Sequence, residues 1–198
     1  MNNESENNQV KTISESEKSP KFCGLIMPIS GISDSRYTEE HWEKVKNILE
    51  RAVRNANLEP RLVSDSDPTA IIQAKIVNNL YYDDIVVCDV SSKNPNVMFE
   101  LGMRLAFDKP VVIVKDDQTN YVFDIGPIQH IVYPISLSFH EIEVFMEKLT
   151  NKIKYTYNNK NKRGELSFLN NFGKLEPQNL TSKNIDASEF ISNINIGC

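Results

Sequence analysis

Six carboxylates fall in segments that could meet at one edge of a fold: Asp34, Asp65, Asp67, Asp89, Glu100 and, less directly, Asp124. Amide and hydroxyl groups lie among them in Ser30, Ser91, Asn94 and Asn96. Cys23, Cys88 and Cys198 show no metal-ligand spacing with a histidine. His41, His130 and His140 fall in outer segments, so no Ser–His–Asp arrangement is assembled from them. Carboxylates and amides without a metal cluster or a histidine suit chemistry at an electron-poor carbon. Cleavage of an N-glycosidic bond fits, because the sugar carbon becomes oxocarbenium-like and a carboxylate can stabilise or attack it. Glu100 is the candidate for that role: it has a long reach, and the nearby helix N-terminus and loop amides could keep it ionised. Ser30, Asp65, Asp67, Asp89, Ser91, Asn94 and Asn96 are the candidate substrate-binding groups. Structural readings stand beside these. A Glu in the second turn of a helix is often a solvated surface group. Asp89 could be held by loop amides for purely structural reasons, and Asn94 could serve only as a helix cap.

The elements that must position these groups follow from hydrophobic pattern. Ile85 to Val90 is apolar except for Asp89, which suits a strand of a parallel sheet covered on both faces. Asn94 and Pro95 read as N-cap and first residue of a helix, and Val111 to Val114 as the next buried strand. Lys21 to Pro28 is a first strand, followed by a polar loop that matches no phosphate-binding glycine motif. Thr38 caps a helix whose apolar stripe is Trp42, Val45, Ile48, Leu49, Ala52, Val53 and Ala56. That stripe places Trp42 in the core rather than against a base. Pro60 puts the short second strand, residues 58–63, at a sheet edge. A helix with Ile71, Ile72, Ile76 and Leu80 follows. Ile131 to Pro134 is a fifth strand, and Ser138 opens a last helix with Ile142, Phe145, Met146, Leu149 and Ile153 at helical spacing. Gly102 reads as a residue for close helix–sheet packing, and Arg104 as the partner of a surface acid.

This alternation predicts an α/β fold: a flavodoxin-like open parallel sheet of about five strands, in order 2-1-3-4-5, with helices on both faces. The domain spans residues 21–157. Residues 1–20 read as a disordered tail, since Val10 and Ile13 are too few to offset the entropy of ordering. Residues 158–198 read as a polar linker and an accessory segment, with Leu166, Phe168, Leu169 and Phe172 as its apolar groups.

The net charge of -5 argues against a chain that coats nucleic acid. The N-terminus has no apolar signal segment, and no run approaches a membrane span, so a cytoplasmic protein is expected. Buried thiols without a disulfide framework fit that compartment.

The segment Cys88-Asp-Val-Ser-Ser-Lys-Asn-Pro-Asn-Val-Met-Phe-Glu-Leu-Gly-Met-Arg-Leu-Ala-Phe-Asp-Lys-Pro-Val111 resembles the signature of nucleoside 2-deoxyribosyltransferase-like proteins and is similar to related TIR-like bacterial domains. The resemblance is closest over these residues and extends more loosely from residue 22 to about 135. It implies a flavodoxin-like sheet and cleavage of a nucleoside-type N-glycosidic bond, with NAD or a nucleoside as substrate and no cofactor required. The family's catalytic glutamate falls on Glu100. Its loop aspartate falls on Asp89, or is replaced by Asn94 and Asn96. TIR-like relatives hydrolyse NAD or bind nucleotide signals, many of them in bacterial antiphage or stress signalling. Transferases often carry small Gly or Thr residues just before the glutamate; here Asn96 to Phe99 fills that space, so Met98 and Phe99 are expected to reshape the pocket. The alternative on the same fold is a non-catalytic nucleotide sensor or a protein-interaction domain. The expected partners are a nucleotide or nucleoside, with room for a homo-oligomer or a partner protein.

Overall fold

The computed structural model describes residues 20–31, 34, 36–64, 72–121, 125–126, 128–162 and 167–169. Asp65, Asp67 and Asp124, the whole of the proposed tail except Pro20, and Cys198 lie outside the described residues. The elements run β1 (Phe22–Ile26), α1 (Glu39–Asn55), β2 (Glu59–Leu62), α2 (Ile72–Tyr82), β3 (Ile85–Asp89), α3 (Pro95–Ala106), β4 (Val111–Asp116), β5 (His130–Tyr133) and α4 (Phe139–Asn159). A single 3-10 turn, Ser91–Lys93, links β3 to α3.

All four strand pairings are parallel, and the five-stranded sheet has the expected order β2-β1-β3-β4-β5. Pro60 sits on the edge strand β2, where a missing N–H breaks no central ladder. Strand residues alternate between two cores. Ile85, Val87, Val112 and Val114 join the core formed with α1 and α4. Val86, Cys88 and Ile113 join the core formed with α2 and α3. Both faces are thus covered, which is why β3 reads as an almost unbroken apolar run.

Local signals set the helix starts. Thr38 accepts a hydrogen bond from the His41 amide at 3.1 Å, and Asn94 accepts from the Asn96 amide at 2.9 Å. The α1 stripe is buried as its spacing predicts, and Trp42, fully buried, stacks on Tyr37.

Two residues differ from expectation. A Cβ on Gly102 would meet open space, so no close approach requires glycine there. Arg104 pairs with no surface acid: it is completely buried and donates to the carbonyl oxygens of Leu80, Asp83 and Pro110. It faces the sheet because it follows Leu101 by three residues on the buried side of α3. The acceptors lie at the end of α2 and just before β4, where the Pro110 carbonyl also takes the Val86 amide. Gly24 does meet a close approach, since a Cβ there would lie 2.5 Å from the Asp83 carboxylate.

Past α4, residues 167–169 pack back on the domain. Phe168 lies against the α2/α3 core, and Ser167 donates to Asp108 at 2.8 Å.

Candidate active site

In this strand order, β1 and β3 are neighbours whose connections leave in opposite directions: α1 leads to β2, and α3 leads to β4. A crevice opens beyond the carboxyl ends of two such strands. A cleft of about 600 Å³ lies there, within the range of small-molecule sites. One wall is the end of β1 and its loop, Leu25 to Ser30. Gln73, Ile76 and Val77 of α2 form a second, and the first turns of α3 form the third.

Helical geometry places Glu100 on this cleft. Val97, Leu101, Arg104 and Leu105 are the buried side of α3. Asn96, Glu100 and Met103 recur at four and three residues, so they form one row beside that buried side and line the cleft. Glu100 is half-buried, and no hydrogen bond reaches its carboxylate among the described residues. Burial pushes its pKa up from the ordinary glutamate value. Asn94 lines the cleft while its Oδ1 caps α3, bonding the amides of Asn96 and Val97; its Nδ2 is the atom left for a ligand. Asn96 and Ser30 are exposed on the cleft wall. Ser30, Asn94, Asn96 and Glu100 are therefore brought together.

Asp89 and Ser91 lie elsewhere. Asp89 follows Ile85 and Val87 by the period of two, so it points to the α1/α4 side of the sheet end. It is fully buried, accepting from the Tyr133 hydroxyl at 2.7 Å and the Ser91 amide at 2.9 Å. Ser91 Oγ lies 3.0 Å from Tyr133 Oη and accepts from the Asp116 amide at 2.7 Å. Asp116 in turn accepts from Tyr37 at 2.8 Å and from the amides of Gln118 and Thr119. Thr119 accepts from the Ser92 amide at 3.0 Å. Burial outweighs the hydrogen bonds at Asp89 and raises its pKa to about 6. This network holds the β3–α3 loop, in which Ser92 and Lys93 take left-handed φ of 58° and 53°. Such backbone strain persists only where surrounding contacts over-determine it. Asp34, the remaining carboxylate, is bound by Arg36 outside the cleft.

Sequence reasoning missed Ser64, Gln73 and Val77 as cleft residues, and Tyr37, Asp116, Thr119 and Tyr133 as network residues. The parity of Asp89 within β3 was a usable signal; the hydroxyl and amide partners carried none. Met98 packs against the α2/α3 core and leaves the cleft open, whereas Phe99 lines it.

No family model and no curated protein matches the chain. Solved structures do. The chain is similar to the CMP N-glycosidase of Clostridium botulinum, with a TM-score of 0.47 and 15% identity over 67% of this chain and 99% of that one. It is also similar to a 2-deoxyribosyltransferase of Leishmania mexicana, with a TM-score of 0.36 and 20% identity over 50% of this chain and 66% of that one. Likeness at this level carries no argument about the site, whose chemistry has to come from its own residues.

Those residues are specific in kind. Among the described residues, the cleft holds one carboxylate, neutral amides and hydroxyls, and apolar walls. No Lys or Arg lines it among the described residues. No helix among the described residues is long and apolar enough to cross a membrane.

Proposed function

We propose that this cleft cleaves the N-glycosidic bond of a nucleoside-type substrate, with Glu100 as the essential carboxylate. One observation carries the reading: a half-buried carboxylate stands in a ligand-sized cleft without a countercharge among the described residues. Such a group gains most when positive charge develops beside it. A glycosyl carbon supplies that charge in its oxocarbenium-like transition state. As the C1′–N bond breaks, its electron pair leaves with the base, which takes a proton from water. A Glu100 oxygen bonds C1′, and attack by water or by a second base then frees the sugar or transfers it. Ser30, Asn94 and Asn96 are placed to hold sugar hydroxyls. Asp89 and Ser91 act indirectly in this scheme, by fixing the loop that carries Asn94.

A lining without a cation among the described residues fits the uncharged nucleoside end of a substrate. A nucleotide, NAD included, would have to leave its phosphates outside the cleft. NAD is the second substrate to test, and a role in bacterial antiphage or stress signalling belongs with it.

The test is to incubate the purified chain with nucleosides and with NAD and to separate the products. Release of free base or nicotinamide is expected, and Glu100→Gln should reduce it by roughly a thousand-fold or more. Full activity in Glu100→Gln would overturn the proposal. Saturable binding without turnover, in every assembly state, would replace it with the sensor reading.

A further inference from the structure

The geometry points to Phe99 as the residue that selects the leaving group, by offering its ring face to a planar base. This rests on reading the cleft as a nucleoside glycosidase site. Phe99 is 68% exposed, yet it belongs to the cleft lining. Exposed Tyr81 meets Phe107 and Lys109, and Tyr121 meets His130 and Lys115, while Phe139, 78% exposed, has no such contact among the described residues but lies outside the cleft lining. Phe99 has no ring or cation contact among the described residues. It is also not alone at the cleft mouth. Ile29 from the β1 loop and Val77 from α2 are 55% and 39% exposed and line the same opening. Three elements thus hold large apolar groups in water around the one cleft. A flat apolar ligand inserted there would bury all three, and a base has such a face whatever its hydrogen-bonding edge.

Position in the chain ties this surface to the chemistry. Phe99 and Glu100 are consecutive, with Cα atoms about 3.8 Å apart. Consecutive side chains on a helix diverge by about 100°, but both of these line the one cleft, so a base on the Phe99 ring lies in the same opening as the Glu100 carboxylate. Among the described residues that line the cleft, the β1 loop supplies Ile29 and α3 supplies the aromatic ring. Selection by a ring face favours large bases over small ones and tolerates differences at their edges.

The test separates stacking from catalysis. Adenosine, cytidine and ribose are titrated into Glu100→Gln protein carrying Phe, Ala, Leu or Trp at position 99. KM and kcat for base release are measured for Phe99→Ala and Phe99→Leu with Glu100 intact. Phe99 lies on the surface, and thermal melting checks that each variant folds. The expected result is a rise in Kd and KM on the order of ten-fold or more for Ala and for Leu, with kcat within about three-fold. Trp restores binding, adenosine loses more than cytidine, and ribose is indifferent to all four. Leu binding as tightly as Phe would overturn the inference, because the ring face would then be irrelevant. Equal weakening for ribose would also overturn it, as would the absence of saturable nucleoside binding. Base release that survives Glu100→Gln removes the catalytic reading instead, while the titrations still report on Phe99.

Discussion

At the scale of single residues, Glu100 and Asp89 are both carboxyls with raised pKa, and burial is the leading cause at each. They carry opposite consequences. Glu100 must be ionised to attack or stabilise C1′, so activity is lost as pH falls through its raised pKa. The kcat/KM profile is expected to drop toward acid with a midpoint above 4.5, the ordinary glutamate value. A profile flat down to pH 4 would contradict this. Asp89 titrates near 6, so its burial favours the fold most below its unfolded value near 3.8, and that contribution is lost as pH rises through about 6. Acid therefore does not loosen the network through Asp89. Asp89→Asn should leave the midpoint of the activity profile in place, provided Glu100 sets it.

At the scale of elements, α3 carries both the cleft row and the buried Arg104, and it is tied to the ends of α2 and β4 through that guanidinium. Burial lowers the Arg104 pKa to about 10, so it remains charged at neutral pH. A charged group in the core is tolerated here because carbonyl oxygens surround it. Removing it takes the side-chain donor from the Leu80 and Asp83 carbonyls, while Pro110 keeps the Val86 amide. Arg104→Met is expected to cost about 3 kcal/mol or more in denaturant unfolding. Arg104→Lys should recover little, since one ammonium cannot reproduce the planar fork. An unfolding midpoint unchanged in Arg104→Met would show the buried bonds to be dispensable. Arg104 read as a surface residue because charge is the strongest surface signal a sequence carries; the acceptors lie 21 and 24 residues upstream and six downstream.

At the scale of the whole molecule, the accessory segment past α4 returns to the α2/α3 core through Phe168, with Ser167 bonded to Asp108. It is thus part of the packing around α3 as well as a link outward. Truncation after Lys162 should lower the melting temperature and leave base release measurable. Phe168→Ala should reproduce most of the loss, about 1–2 kcal/mol for a partly buried ring. Equal melting temperatures for the full and truncated chains would show that the contact adds nothing. If truncation removes a protein partner without changing the fold, the segment serves binding as well.

Sequence alone determined the strand order, the two-sided burial of β3, the caps at Thr38 and Asn94 and the presence of Glu100 in the second turn of a helix. These rest on local periodicity and backbone chemistry, which neighbouring residues carry. Only the tertiary structure decided which polar groups meet. It separated Asp89 and Ser91 from Glu100 by a sheet, drew Gln73 and Val77 into the cleft from α2, buried Arg104 and turned Phe99 outward. The physical reason is that a strand's two faces and a helix's several sides lead to different cores. A residue's neighbours in space then depend on packing among elements far apart in the chain. Glu100 was legible because its motif and its position on α3 coincide. Its partners were not, because three different elements bring them there.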